Sequence, residues 1–158
     1  MGRAAAFLFL ALIGMNGRAS DAPADRATLR GLKALKVAVD PPGPELEAEG
    51  VRATDLQARI EERLRRAGVA VDQAAPEFLG LRVMAVREAK GPYGICLSLG
   101  LYQSVLLERD RTIKTAIQTW ETQSVVLVRP KQVHTAMDST LDQLVDQFAG
   151  AYGSANPK

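Results

Sequence analysis

Between Ile95 and Tyr102 apolar and small or polar residues alternate without a break, with Ile95, Leu97, Leu99 and Leu101 on one side and Cys96, Ser98, Gly100 and Tyr102 on the other. Strict period two over eight residues is the pattern of a strand with one face on a core. A strand of this kind needs neighbours, so the pattern commits the chain to a sheet. The neighbours lie on either side. Upstream, Leu79, Leu81, Val83 and Ala85 share one face of a strand whose other face holds Phe78, Arg82, Met84 and Val86, and Lys90-Gly91-Pro92-Tyr93-Gly94 is the turn that makes the pair a hairpin. Downstream, the strand runs to about Leu107, turns through Glu108-Arg109-Asp110-Arg111, and returns as Ile113 to Val128 before Pro130 stops it. Runs this long exceed the usual strand of about 5–6 residues, which predicts a bulge or bend in at least one.

An earlier alternation, Leu35, Val37 and Val39, ends at Asp40-Pro41-Pro42-Gly43-Pro44, where three prolines continue neither ladder nor helix; the segment to about Ala53 reads as a loop. Thr54 and Gln57 have capping-box spacing, and Leu56, Ile60, Leu64 and Ala67 follow on one face of a helix that Gly68 can end. Val69 and Val71 suggest a short strand. A second amphipathic helix begins at Val133 and carries Met137, Leu141, Leu144, Val145 and Phe148 as an apolar stripe. The charges opposite, Arg59 to Arg66 on the first helix and Asp138, Asp142 and Asp146 on the second, read as solvated faces. Residues 25–32 read as a mobile lead-in, and the tail from Gly153 as frayed. The order strand, helix, strand meander, helix predicts an α+β two-layer sandwich, a mainly antiparallel sheet with two helices on one face.

The N-terminus sets the compartment. Met1-Gly2-Arg3 is followed by ten residues, Ala4 to Ile13, without a polar side chain, the n-region and h-region of a secretory signal peptide. The run is too short for a membrane span, which takes about 20 apolar residues. Small residues permit cleavage after Ala19 or after Ala24, and the second divides the chain into residues 1–24 as leader and 25–158 as one domain, with 32–152 as its ordered core. Cleavage after Ala24 leaves 18 basic and 17 acidic residues, so the +2 of the whole chain falls to +1; cleavage after Ala19 leaves 18 of each. A nearly neutral domain has no net field to draw it to a phosphate backbone or an anionic lipid surface, so nucleic acid is not an expected partner. The expected location is periplasmic or secreted, with no membrane span after cleavage. Cys96 is the one cysteine, so no internal disulfide can form, and its place in an apolar run suits a small hydrophobe.

Catalytic signatures are missing. Nucleophilic hydrolysis needs a Ser or Cys with a base and an orienting group, and the one histidine, His134, stands near the start of the last helix. No P-loop, G-x-S-x-G, H-E-x-x-H or dinucleotide fingerprint occurs, and neither a cofactor nor a metal is expected. What remains is surface. On simple alternation, the outer face of the two long strands would present Ser98, Gly100, Tyr102 and Ser104 beside Gln118, Trp120, Thr122 and Ser124. Small polar side chains around two aromatics suit a contact surface. Tyr102, Trp120, Ser98, Ser104, Gln118 and Thr122 are therefore the candidate binding residues; equally, a lone Trp can be core. The sequence leads to a non-enzymatic binding or assembly module of the cell envelope, its partner an envelope protein or an amphiphilic ligand and its oligomeric state open. The alternative is a small periplasmic hydrolase or hydrolase inhibitor.

Leu56 to Gly68, the single Trp120 and Leu144 to Tyr152 together resemble a group of exported bacterial proteins that share a leading strand, an L-x-x-x-I-E-x-R-L-R-R-A-G helix and an L-V-D-Q-F-x-x-A-Y terminal helix. In element order the chain is also similar to the lipopolysaccharide-assembly lipoprotein that plugs an outer-membrane barrel. That resemblance implies two helices on one sheet face. The lipidated cysteine of that family has no counterpart here.

Overall fold

A computed structural model describes residues 22–87 and 89–157, so the leader expected over residues 1–24 lies, up to Asp21, outside the described residues. The described chain is α+β: α1 (Pro23–Ala27), β1 (Lys36–Val39), α2 (Pro44–Ala48), α3 (Ala53–Arg66), β2 (Phe78–Arg87), β3 (Tyr93–Leu107), β4 (Asp110–Val128), a 3-10 turn at Pro130–Gln132 and α4 (Val133–Ala155). The four strands form one mixed sheet in the order β1-β2-β3-β4. β1 runs parallel to β2, with Lys36 opposite Phe78 and Val39 opposite Leu81, because α3 intervenes and carries the chain back to the same end. The two hairpins supply antiparallel pairs: Met84 opposite Cys96, and Cys96 opposite Val125.

Alternation places the core. Leu79, Leu81, Val83, Ile95, Leu97, Leu99 and Leu101 are buried in one cluster with Leu56, Ile60 and Leu64 of α3 and Met137, Leu141, Leu144, Val145 and Phe148 of α4. Every second residue of β2 and β3 thus points at helices, and the residues between point away from them. The end of α3 follows from Gly68. Its φ of +80° lets the Val69 amide reach back to the Leu64 carbonyl and the Gly68 amide to that of Arg65, closing the helix as a Schellman turn.

The long strands carry the predicted irregularity. Leu101 faces Trp120 but Tyr102 faces Gln118, so Thr119 is an extra residue in β4. Beyond Phe78 opposite Tyr102, β2 ends; β3 and β4 continue together as a two-stranded ribbon in which Gln103 faces Ile117 and Leu106 faces Lys114. Five residues at about 3.3 Å each carry this arm about 17 Å past the sheet.

Other local expectations are corrected. Residues 25–32 are not a loose lead-in: Leu29 is fully buried, Asn156 clamps the segment by accepting from the Gly31 amide at 2.7 Å and donating to the Leu29 carbonyl at 2.9 Å, and Tyr152 donates to the Leu32 carbonyl. The packed structure therefore starts before Leu32, and α4 continues through Gly153 to Ala155. Within the proline-rich segment, Pro44 occupies the first turn of α2, where its missing N–H costs nothing, and buries Leu46. The capping box does not form: Thr54 Oγ1 bonds Asp55, and Gln57 Nε2 bonds Glu61 four residues on. Of the Val69–Val71 strand only a parallel bridge between Leu35 and Val71 is present.

Candidate functional site

The six candidate residues do not share one face. Tyr102, Ser98, Ser104 and Gln118 lie on the side of the sheet away from the helices. Trp120 and Thr122 sit opposite Leu101 and Leu99 and are buried with them. The cause is the extra residue at Thr119. Gln118 and Trp120 are two apart and would share a face in a regular strand, but the bulge shifts the phase between them. Thr119 is held at this point by its hydroxyl, which donates to Gln103 Oε1 at 2.6 Å and lies 3.5 Å from the Leu101 carbonyl, and by its own carbonyl, which accepts from Thr28 Oγ1 at 3.3 Å. Trp120 packs edge-on against Phe148, ring centroids 5.2 Å apart, and its indole N–H is buried without a hydrogen-bond partner among the described residues. The hydroxyl of Thr122 donates to Gln147 of α4. Trp120 is core.

The open face is built in cross-strand rows. At the end near the arm, Phe78 and Tyr102 stack with ring centroids 4.7 Å apart and planes 6° from parallel, and Lys36 Nζ lies 6.0 Å from the Phe78 ring centroid. Gly80 and Gly100 make room here. A Cβ at Gly80 would come within 3.2 Å of the Tyr102 ring, and one at Gly100 within 2.8 Å of the Gln118 side chain, which also bonds Glu121. The next row is polar: Arg82, Ser98 and Gln123. Arg82 Nε donates to Asp40 at 3.1 Å, and this hydrogen bond to a carboxylate raises the guanidinium pKa. Two apolar rows follow, Met84–Cys96–Val125 and Val86–Gly94–Leu127. Met84, Val86, Val125 and Leu127 are 56, 73, 74 and 76 % exposed. Together they make a contiguous apolar surface on the order of a few hundred Å², the scale at which such a patch calls for an explanation. Sequence alternation placed Met84 and Val86 outward but passed over the patch, because a patch is a property of rows that only the register defines.

The charged faces of α3 and α4 meet rather than face solvent separately. Arg59 grips Asp142 with two bonds of 2.7 and 2.9 Å and reaches Asp138 at 3.4 Å; Arg63 grips Asp146 at 2.7 and 2.6 Å and reaches Asp142 at 3.1 Å. The hydrogen bonds donated to these carboxylates raise both arginine pKa values, and the bond from Arg63 lowers that of Asp146. The ladder borders an open depression of about 530 Å³ that also touches His134. Its charges satisfy one another, so it ties two helices together instead of offering a ligand free groups. His134 donates from Nε2 to the Glu49 carbonyl at 2.7 Å. That bond engages the imidazole with backbone rather than with the hydroxyl a nucleophilic site requires. Among the described residues no three His, Cys, Asp or Glu side chains are grouped to hold a metal, and no helix is long and apolar enough to cross a membrane.

No family model matches the chain, and no curated protein does. Solved structures give low-level matches. A minor lipoprotein from Acinetobacter baumannii is similar at 12 % identity, 77 % coverage of this chain and 91 % of that one, with a TM-score of 0.39. A PelC dodecamer from Paraburkholderia phytofirmans gives 14 %, 76 %, 87 % and 0.39. The rare lipoprotein B of Shewanella oneidensis gives 15 %, 77 %, 94 % and 0.38.

Proposed function

We propose that this chain is an exported, non-enzymatic binding or assembly module of the cell envelope, a two-layer α+β sandwich whose open sheet face is its working surface. The single observation that carries the reading is the contrast between the two sides of the sheet. One side is sealed by α3 and α4, while the other leaves Met84, Val86, Val125 and Leu127 in solvent beside the stacked Phe78–Tyr102 pair. Solvent-facing aliphatics on a sheet carry a free-energy cost that contact with a partner removes. The leader sequence supplies the compartment. The contact residues in this reading are Ser98, Tyr102, Ser104 and Gln118, with Trp120 and Thr122 supporting them from behind.

A photo-crosslinking amino acid at Ser98 or Tyr102, set against one at Glu62 on exposed α3, tests this in the producing cells. The sheet positions are expected to trap a component of the envelope fraction that Glu62 does not. Equal labelling from both sides, or a chain confined to the cytosol, would overturn the proposal.

A further inference from the structure

The apolar end of the open face has a charged border. The β2–β3 turn contributes Lys90, and the segment after β4 contributes Arg129 and Lys131; the three line one open depression of about 580 Å³ beside Pro92 and Gln132. None of the three has an ion-pair partner among the described residues, whereas the neighbouring Arg87 is engaged by the Tyr93 hydroxyl at 3.0 Å and lies 3.9 Å from Glu49. Glu88, outside the described residues, is the one acidic residue in the two segments 86–94 and 125–133, against four basic ones. Lys90 follows Val86 by four residues and Arg129 follows Leu127 by two, so these cations lie beyond the end of the apolar rows where the sheet ends.

An occupant must satisfy both features at once. A second copy would bring its own cations, and the three rows nearest this border, Val86–Gly94–Leu127, Met84–Cys96–Val125 and Arg82–Ser98–Gln123, hold no carboxylate to receive them. A bilayer bearing anionic phospholipid supplies acyl surface for the aliphatic rows and phosphate for the cations. We infer that this end of the open face is a peripheral membrane contact: Val86, Val125, Leu127 and Met84 enter the headgroup boundary while Lys90, Arg129 and Lys131 meet lipid phosphates. The inference rests on the open face being the working surface, and names what one end of it meets.

The test is local. In the full-length chain with Cys96→Ser, a polarity-sensitive nitrobenzoxadiazole label is placed on Leu127→Cys, with Glu62→Cys on α3 as the reference. Phosphatidylglycerol vesicles are expected to shift the label at position 127 to the blue and leave that at 62 unmoved. Phosphatidylcholine vesicles are expected to give a much weaker response. Each of Lys90→Ser, Arg129→Ser and Lys131→Ser is expected to lower the apparent partitioning about fivefold, and the three together about a hundredfold. Because these side chains are exposed, a circular dichroism spectrum unchanged by the substitutions separates lost binding from lost folding. An unshifted label at position 127 on phosphatidylglycerol overturns the inference, including when the leader alone holds the chain to the vesicle. So does an equal shift on phosphatidylcholine, or a lipid-free shift that grows with protein concentration, which would assign the patch to a second copy. An envelope protein crosslinked at Tyr102 with no lipid response at 127 would remove the membrane contact and leave the broader function standing.

Discussion

Replacing Trp120 separates two contributions that the structure makes distinct. The indole is 2 % exposed, lies opposite Leu101 and meets Phe148 edge-on at 5.2 Å. A buried Trp covers about 150–250 Å². At roughly 25 cal/mol per Å² this corresponds to about 4–6 kcal/mol of transfer free energy. Truncation to Ala keeps a methyl group and lets the site partly relax, so Trp120→Ala is expected to cost about 3–5 kcal/mol. For a domain of this size, held by roughly 5–15 kcal/mol in all, that is a large fraction. It corresponds to a fall in Tm of about 10–20 °C. Trp120→Phe should behave differently. It keeps a ring against Phe148 and deletes an indole N–H that is buried with no partner. An unsatisfied buried donor costs about 1–3 kcal/mol, so its removal offsets most of the lost contact and leaves the Phe variant within about 1 kcal/mol of the parent. Urea and thermal unfolding followed by far-UV circular dichroism measure both variants, since each lacks the fluorophore. In the parent, Trp120 emission should be blue-shifted and resist acrylamide until the unfolding transition. Equal losses for Ala and Phe would refute the argument about the N–H, and an unaffected Ala variant would refute the placement of Trp120 in the core.

Three further outcomes follow from the geometry. Asp142→Asn takes the shared carboxylate from Arg59 and Arg63, both of which are partly exposed, and is expected to cost about 1 kcal/mol in urea unfolding at low salt and less at high salt. The depressed carboxyl pKa values of Asp146, due to its hydrogen bond from Arg63, and of Glu61, due first to Gln57 and then to Arg65, set an acid limit. A carboxylate whose folded pKa lies below its unfolded value contributes stability above the unfolded pKa and loses it as pH falls through the folded one, so the urea midpoint should drop from neutral pH toward and below the ordinary carboxylate range, and Arg63→Gln should flatten the part due to Asp146. Amide exchange should divide β3 and β4 at the bulge: residues 104–106 and 111–117, in an arm of two strands with no third neighbour, are expected to exchange orders of magnitude faster than 95–101, and uniform protection along both strands would contradict the arm.

Much of the architecture was legible in local pattern. The alternations at 79–86 and 95–102 identified both strands and their buried faces, and the apolar stripes of α3 and α4 identified the residues that cover them. These are period-two and period-3.6 signals carried by adjacent residues, and the hydrophobic effect reads them the same way in any fold that supplies a core. Gly68 ended its helix where the sequence placed it, since the left-handed turn it permits is a local property. Of the short helices, α1 carries only a weak helix-compatible pattern and α2 lies in a segment that reads as loop, because one turn has almost no intrinsic stability; they exist where packing holds Leu29, just after α1, and Leu46 in α2, and packing is not a local quantity.

The candidate site shows the same division. Sequence alone determined that two long strands would expose a face and that one of them must bend. Only the tertiary structure decided where. Thr119 is accommodated as an extra residue between Leu101 and Tyr102, where Thr28 and Gln103 hold it, and that single insertion sends Gln118 outward and Trp120 inward. Likewise Arg59 and Asp142, 83 positions apart, each read as a charge in solvent until the helices that carry them were side by side. The apolar rows and their cationic border are a matter of register across three strands. Alternation says which face a side chain takes within its own strand; a register shift anywhere in a pair changes the answer for everything beyond it, and that shift is set by contacts from elsewhere in the chain.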